Sequence, residues 1–371
     1  MQQANDLHSA DIGDFEKTMA VSTVMIQSVI TFLMATKPGV GQQFFLGGIY
    51  EAIKFSASAF IFGILFSTIR THPQATLKDY PRFMKNRWHV LFIPSIWWTL
   101  IYLLFLPQLQ QHGTFHNWQG FCWQFISGNA APHLWYNVMM LQFIILMPLF
   151  WWLARFVHRQ PRRGTVIFTI MLLGELAWHY LYELRVFHGP DAKSWYLIDR
   201  FFLSFLIFAV GGTLLWQFYE KVTPWLMKHW FTQVIGWLAL FYFVTVNFFS
   251  YGYPVKLSNA PYYLPSMIFY NLSTIFLIAT FALYMQHFRN QWLPLIHWVA
   301  LYAHRAYLGH VFWLYWVNRA LNRLAPQLGI GIKLPLLAVL TIGLAFAGAY
   351  FIHRAWSAIK VLLHIGQLTN G

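Results

Sequence analysis

The chain has 371 residues, of which 58% are hydrophobic and 10% are charged. Soluble domains carry about 25% charged residues, so this composition excludes an ordinary soluble protein and indicates a multi-pass membrane protein. The formal net charge of +14 does not indicate a nucleic-acid partner, because the basic residues lie in short segments between apolar stretches.

The first seventeen residues are polar and acidic, so we expect a tail over 1–17 and no cleavable signal peptide. A membrane-spanning helix needs about 20 mostly apolar residues. This length predicts an all-α polytopic bundle of about ten transmembrane helices in a single domain, with a second tail over 353–371. The predicted spans cover residues 18–36, 44–69, 88–106, 134–156, 164–184, 198–217, 230–249, 265–286, 297–318 and 334–352.

Lys and Arg residues predict the orientation, because cytoplasmic loops are enriched in them. They cluster between the second and third spans and between the fourth and fifth, whereas the segment 107–133 contains none. We therefore expect both tails in the cytoplasm and 107–133 outside, although Arg319, Arg323 and Lys333 lie on the outward side. Cys122 is the only cysteine, which excludes a disulfide within the chain.

Ionisable residues within spans are costly and often functional. Glu51 and Lys54 lie three residues apart in the second span, where they can form a structural ion pair or serve a site. In the fifth span, Glu175, His179 and Glu183 share one helix face. That face suits proton handling or sugar binding, and the alternatives are a polar seam between helices or, less well matched, a zinc site.

The ninth span contains His304, Arg305 and His310. Because a guanidinium does not lose its proton, Arg305 needs an anionic or hydrated partner, and Glu175 is a candidate. We predict that these faces converge on one hydrophilic cavity with His133 and Trp135 at its rim. His133 can alternatively belong to an aromatic belt.

The basic cluster Arg82, Lys85 and Arg87 begins the third span. It is either a topology signal or a clamp for the phosphates of a cytoplasmic cofactor such as coenzyme A. The sequence contains no glycine-rich phosphate loop and no metalloprotease or hydrolase motif.

Four segments resemble the acyltransferase-3 family of bacterial integral-membrane proteins, and within it the branch of intercellular adhesion, poly-N-acetylglucosamine export proteins. These segments are Phe55–Gly63, Arg87–Trp97 with its Ile-Pro94 step, His133-Leu-Trp-Tyr136 through Gln142 and Pro148, and Tyr307-Leu-Gly-His310. The sequence departs from the family in the first helix. There the family has an Arg followed eleven positions later by a catalytic His, whereas this chain has Lys17 and then Ser28, with Gln27 one residue earlier.

The resemblance implies an O-acyltransferase of the bacterial cell membrane that takes an acetyl or succinyl group from acyl-CoA. It implies a polysaccharide or lipid-linked glycan as acceptor, with membrane lipids and a glycan synthase as further partners. The catalytic candidates are His133, His179, His310, Arg305 and Glu175. Arg82, Lys85 and Arg87 are expected to bind the donor, Trp135, Tyr136 and Glu183 the acceptor, and no metal is expected. The alternative function is an exopolysaccharide export or flippase component without transferase activity. A secondary transporter is a third reading, but the inverted repeats that it would predict are not evident in the sequence.

Overall fold

A computed structural model describes residues 9–362, apart from the side chains of 360–362. The described part of the chain contains α-helices and short helical turns and no strand, which confirms the predicted all-α bundle. The helices are α1 (Ile12–Met34), α2 (Val40–Ala52), α3 (Ser56–Thr71), α4 (Tyr80–Arg87), α5 (Ile93–Phe105), α6 (Trp118–Ser127), α7 (Leu134–Ile145), α8 (Met147–Val157), α9 (Pro161–Arg185), α10 (Leu206–Gln217), α11 (Tyr219–Lys228), α12 (Trp230–Phe249), α13 (Pro265–His287), α14 (Leu293–Leu324) and α15 (Ile330–Leu362).

Length and composition of the helices identify fewer candidate spans than the predicted ten. Seven helices of the described chain are long and apolar enough to cross a membrane, and the number rises to nine if each of two bent pairs forms one span. The bent pairs are α7 with α8, at 54°, and the segment 202–217 with α11, at 101°. The ninth predicted span corresponds to α14, which is not among these candidates because polar residues lie along it.

The terminal helices extend into both predicted tails. Helix α1 begins at Ile12, so residues 12–17 of the predicted tail are helical, and residues 1–8 lie outside the described chain. Helix α15 continues to Leu362, so residues 353–362 belong to it, while 363–371 lie outside the described residues. The predicted outward segment 107–133 contains the helix α6.

Helix α3 lies at the centre of the bundle, where it packs against α1 and α10, while α14 packs between α1 and α15. Glycines allow the close approach of α3 to its neighbours. A Cβ on Gly13 would lie 2.6 Å from the carbonyl oxygen of Gly63, and one on Gly212 would lie 2.4 Å from that of Phe62. Such distances are too short for a side chain, so these crossings require glycine.

Two helix interruptions position polar groups inside the bundle. Residues 53–55 separate α2 from α3, and the freed carbonyls are satisfied by side chains: Gln27 Nε2 donates to Ile53 O at 2.6 Å, and Tyr270 OH donates to Ala52 O at 2.7 Å. A π-helical turn, Trp88–Phe92, precedes Pro94, whose missing N–H cannot bond the carbonyl of Val90. The first interruption carries Lys54, and the second follows Arg87.

Candidate active site

The larger of two central cavities has a volume of about 480 Å³ and lies toward the 107–133 side of the bundle. We call it the histidine cavity, because His133 lies on its wall. Its lining comes from α1, the α2–α3 interruption, α7, α14 and the loop before α13. The lining residues used below are Ser28, Thr31, Lys54, Phe60, His133, Trp135, Tyr136, Asp199, Ser258, Tyr262 and Tyr307.

Ser28 and His310 form a hydrogen-bonded pair at this cavity. The Oγ atom of Ser28 lies 2.9 Å from Nε2 of His310, and Nδ1 of His310 lies 2.5 Å from the carbonyl oxygen of Tyr307. A carbonyl only accepts, so we assign the ring proton to Nδ1, which leaves Nε2 to accept the Ser28 hydroxyl proton. His310 is fully buried directly behind Ser28, and Ser28 lines the cavity.

His133 lies beside this pair. Its ring centroid is 4.7 Å from that of His310, and its Nε2 lies 3.2 Å from the carbonyl oxygen of Leu308. The hydroxyl of Tyr307 donates to the backbone carbonyl of His133, which fixes α7 against α14. Because Nε2 must donate, the lone pair is on Nδ1, which has no hydrogen-bond partner among the described residues.

Gln27 is occupied in holding the helices together. Besides its bond to Ile53 O, its Nε2 donates to Ser56 Oγ at 3.0 Å, and its Oε1 accepts from Tyr262 OH at 2.8 Å. Both polar atoms of its side-chain amide are therefore hydrogen-bonded within the protein. Both residues near the family's first-helix histidine position line the histidine cavity, but Ser28 is paired with His310, whereas the amide of Gln27 is bonded to Ile53, Ser56 and Tyr262.

Lys54 brings a cationic group to the histidine cavity. Its Nζ donates to Tyr50 OH at 2.9 Å and lies 4.2 Å from the ring centroid of Tyr262. No ion pair links it to Glu51, which does not line the cavity, so the pairing that their spacing allows is not formed. Lys54 is 5% exposed and reaches the cavity because the helix is interrupted at this point.

Aromatic side chains form a large part of the same wall. Trp135 lies 5.5 Å from the ring of Tyr262, and Tyr136 lies 5.6 Å from that of Tyr307. Rings of this kind can cover the apolar face of a sugar, and the Tyr136 hydroxyl, which has no hydrogen-bond partner in the described chain, is available to a ligand.

An acidic residue lies at the outer edge of the histidine cavity. Burial raises the pKa of the Asp199 carboxyl to about 6, although the guanidinium of Arg200 lowers it. Arg200 Nε lies 3.2 Å from Asp199 Oδ1, and Arg200 also donates to Asn129 Oδ1 at 2.6 Å and to Ser127 O. Asp199 therefore connects the cavity to the 107–133 segment through Arg200.

The second cavity, of about 320 Å³, lies toward the opposite end of the bundle. We call it the arginine cavity, because Arg70, Arg87 and Arg305 line it. Its other polar lining residues are Asp11, Asp14, Lys17, Ser67, Thr68, Thr71, His297 and His304.

The acidic residues of the arginine cavity are already paired. Asp11 Oδ2 lies 2.7 Å from Arg70 Nε, and Asp14 Oδ1 lies 2.8 Å from Lys17 Nζ. Neither Arg87 nor Arg305 has an acidic partner among the described residues. The Arg87 guanidinium lies 4.9 Å from the ring centroid of Phe83, and that of Arg305 lies 5.9 Å from the ring centroid of Tyr302, which leaves both available to an anionic ligand.

Phe60 lies between the two cavities and lines both of them. Its ring is 5.9 Å from that of Tyr136 in an edge-to-face arrangement. The side chain of Phe60 therefore separates the arginine cavity from the histidine cavity, which holds the serine–histidine pair.

The predicted site residues divide into those at the cavities and those elsewhere. His133, Trp135 and Tyr136 line the histidine cavity, with His310 behind it, and Arg87 and Arg305 line the arginine cavity. Arg82, Lys85 and Glu183 are exposed and line neither of them.

Glu175 and His179 lie at a helix interface away from both cavities. Glu175 Oε2 accepts from Ile207 N at 2.6 Å, while the ring nitrogens of His179 lie 3.3 and 3.1 Å from the carbonyls of Leu264 and Ser204. These contacts join α9 to its neighbours, which matches the polar-seam alternative. The structure does not bring Arg305 to Glu175. In place of the single shared cavity that we expected there are two cavities: Arg305 lines the arginine cavity, whereas Glu175 and His179 line neither.

Lys17 and Asp199 were not among the site residues expected from the sequence, and the sequence marked Lys54 and Ser28 without assigning them a role in the site. Asp199 begins a predicted span, and a charged residue near a helix end is typical of the membrane interface, so no feature of the sequence placed it in the site. Within residues 9–362, no three His, Cys, Asp or Glu side chains lie close enough to hold a metal ion.

The fold and the two cavities define a multi-pass helical membrane protein with a buried serine–histidine pair and a separate cationic pocket. The sequence pattern of the family described as an acyltransferase domain matches residues 32–354. The chain therefore belongs to this acyltransferase-3 family and is a membrane acyltransferase in its general class. The match starts after Ser28, so most of α1 lies outside it. No curated protein and no solved structure matches the chain.

Proposed function

We propose that the protein is an integral-membrane O-acyltransferase that moves an acyl group from cytoplasmic acyl-CoA to a hydroxyl of a cell-surface or lipid-linked polysaccharide. The observation that carries this proposal is the pair of cavities that share Phe60. One offers unpaired cations and the other offers histidine chemistry within an aromatic wall, as a reaction with an anionic donor and a glycan acceptor requires.

The donor side of the proposal rests on charge. Arg87 and Arg305 lack acidic partners among the described residues, whereas Lys17 and Arg70 are neutralised by Asp14 and Asp11. A phosphate-rich ligand such as coenzyme A supplies the missing anions and forms charge-assisted hydrogen bonds with guanidiniums. This assignment retains Arg87 from the predicted cluster and moves Arg305 from the catalytic candidates to donor binding.

The acceptor side rests on shape and on the nature of the wall. The aromatic residues Trp135, Tyr136 and Tyr262 line the histidine cavity, and Lys54 and Asp199 supply polar groups to it. A sugar has apolar faces for the rings and hydroxyls for the polar groups. This cavity lies toward the 107–133 side, which loop charges predict to be outside the cell.

The chemistry needs a group that removes a proton from a hydroxyl as it attacks the acyl carbonyl. Nε2 of His310 is positioned to accept the Ser28 proton, and Nδ1 of His133 bears the other available lone pair. Lys54 lies on the same wall and can stabilise negative charge that develops on the carbonyl oxygen.

We further propose a bacterial cell-membrane location with cytoplasmic termini, membership of the intercellular adhesion branch, and a glycan synthase as partner. The basic segments at the arginine-cavity side support the orientation. The acyl group is acetyl or succinyl.

The proposal can be tested by mass spectrometry of surface polysaccharide from cells with and without the protein. We expect base-labile acyl esters only when the protein is present, and their loss in the Arg87→Gln, Arg305→Gln variant. The matched control is Arg82→Gln, Lys85→Gln, which removes two nearby exposed charges outside the cavity.

Ester content that is the same with and without the protein would contradict the transferase. If the amount of surface polysaccharide falls while its esters stay unchanged, the export or flippase function is supported instead.

A further inference from the structure

Resting on the proposed function, we propose that Ser28 is a nucleophile that carries the acyl group as a covalent serine ester, with His310 as its base. Transfer then occurs in two steps, from coenzyme A to Ser28 and from Ser28 to the glycan hydroxyl.

The orientation of His310 supports this role. Because Tyr307 O occupies Nδ1, the lone pair of Nε2 faces the Ser28 hydroxyl at 2.9 Å. This is the arrangement of an activated nucleophile: a hydroxyl bonded to a base whose other nitrogen is oriented by a third group. The alternative acceptor of the hydroxyl proton, Val24 O, lies farther away at 3.2 Å.

Accessibility distinguishes the two members of the pair. Ser28 lines the histidine cavity, whereas His310 is fully buried and is not part of the lining. A substrate hydroxyl in the cavity therefore meets Ser28 before it can reach Nε2. His310 can act on substrates only through Ser28 or after Ser28 has moved.

A neighbouring residue shows what a purely structural hydroxyl looks like here. Thr31 lies almost one turn further along α1 and also lines the cavity, but its Oγ1 donates to Gln27 O at 2.9 Å and has no histidine partner. Donation to the preceding turn is common for hydroxyl residues in helices. Ser28 has such a carbonyl available as well, and it differs from Thr31 by its bond to His310.

The distance between the two cavities favours a covalent intermediate. Lys17 lines the arginine cavity and Ser28 the histidine cavity, and eleven residues of α-helix rise by about 16 Å. A donor bound by Arg87 and Arg305 must extend its thioester over a distance of this order. An acyl group stored on Ser28 allows the donor to leave before the acceptor reacts.

Each step is balanced. The Ser28 oxygen attacks the thioester carbonyl while His310 Nε2 takes the hydroxyl proton. The carbon–sulfur bond then breaks, and the coenzyme A thiolate leaves with that proton. In the second step, after the acylated Ser28 side chain has moved away from Nε2, a glycan hydroxyl attacks the serine ester and gives its proton to Nε2. The bond to the Ser28 oxygen then breaks, and Ser28 recovers the proton.

The decisive experiment measures exchange of labelled coenzyme A into acyl-CoA, without acceptor, in purified full-length protein in lipid nanodiscs. It uses whichever of acetyl-CoA and succinyl-CoA supports transfer to glycan. A two-step enzyme catalyses this exchange, and the Ser28 peptide should then carry the acyl group. We expect Ser28→Ala to abolish exchange and labelling, and His310→Gln to slow exchange by about 10²–10⁴-fold.

Thr23→Val is the matched control on α1 and should retain exchange, because the Thr23 hydroxyl donates to Met19 O and lines neither cavity. Ser28→Cys should recover part of the exchange that Ser28→Ala loses, because a thiol is also a nucleophile. Glycan transfer that persists undiminished in Ser28→Ala overturns the acyl-serine and leaves the proposed function intact, as does wild-type transfer without exchange. If wild-type protein transfers neither acyl group to any glycan, the proposed function itself fails.

Discussion

Donor affinity should depend on Arg87 and Arg305 and only weakly on Arg82 and Lys85, although the sequence places three of these residues in one cluster. The perturbations are Arg87→Gln, Arg305→Gln and the double variant Arg82→Gln, Lys85→Gln. Glutamine keeps hydrogen-bonding capacity and much of the side-chain length while it removes the charge. The comparison is matched because Arg82 and Lys85 lie within two turns of Arg87.

The expected magnitude follows from the environment of each cation. Arg87 and Arg305 are partly buried, and Nε of Arg87 has no hydrogen-bond partner within the described chain. A hydrogen bond to a charged group in such a place contributes about 1.5–3 kcal/mol, so each single variant should weaken binding by about 10- to 100-fold. Arg82 and Lys85 are exposed, where solvent and salt screen their charges, and their loss should change affinity by less than about fivefold.

The assay is equilibrium binding of labelled acetyl-CoA and succinyl-CoA to protein in nanodiscs, with thermal unfolding as a check on folding. If the Arg87→Gln, Arg305→Gln combination loses less than the sum of the single effects, the two guanidiniums share one phosphate group. The reasoning is refuted if Arg82→Gln, Lys85→Gln weakens binding as much as Arg87→Gln, or if folded Arg87→Gln and Arg305→Gln bind the donor normally.

Three further predictions follow from the structure. A cysteine at the exposed Thr114 in a Cys122→Ser background should react with an impermeant reagent on intact cells, and reaction only after permeabilisation would reverse the proposed orientation. His179→Ala should lower the free energy of unfolding by about 1–3 kcal/mol, because a buried backbone carbonyl loses the ring N–H that donates to it. Donor binding by the folded protein should stay unchanged, and normal stability with lost donor binding would return His179 to the site. The pKa of Asp199 rises from 3.8 to about 6 on folding, so the stability of the wild type relative to Asp199→Asn should be greatest below pH 3.8 and should decline as the pH rises through about 6. Thermal unfolding at several pH values measures this difference. A stability difference that increases with pH would contradict the burial of Asp199.

The failure at α9 shows how far a helix pattern reaches. The i, i+4, i+8 spacing of Glu175, His179 and Glu183 correctly places them along one face. It cannot say what that face packs against. Here Glu175 bonds a backbone N–H in the first turn of α10, His179 contacts backbone carbonyls just before α10 and α13, and Glu183 is exposed. Polar residues that satisfy buried backbone groups look the same in sequence as residues that line a cavity.

The basic cluster shows a related limit. Arg82, Lys85 and Arg87 share one short helix, yet only Arg87 reaches the arginine cavity. Side chains two and five residues apart on a helix point in different directions. The π-helical turn that follows Arg87 also changes the direction of the side chains after it. The charge pattern therefore predicted which side of the bundle carries the cations, and the packing of α4 against its neighbours decided which of them enters the pocket.

The sequence by itself determined the class of the protein, because apolar stretches of spanning length in a chain with few charges are stable only as membrane helices. It also marked His133, Tyr136 and His310, since the segments around them resemble a known family, and Ser28, since it stands where that family has a histidine. The pairing of Ser28 with His310, 282 residues apart, was decided only by the tertiary structure. Their contact depends on how α1 and α14 cross beside α3, and that crossing is set by close packing between distant segments, which no local pattern of residues encodes.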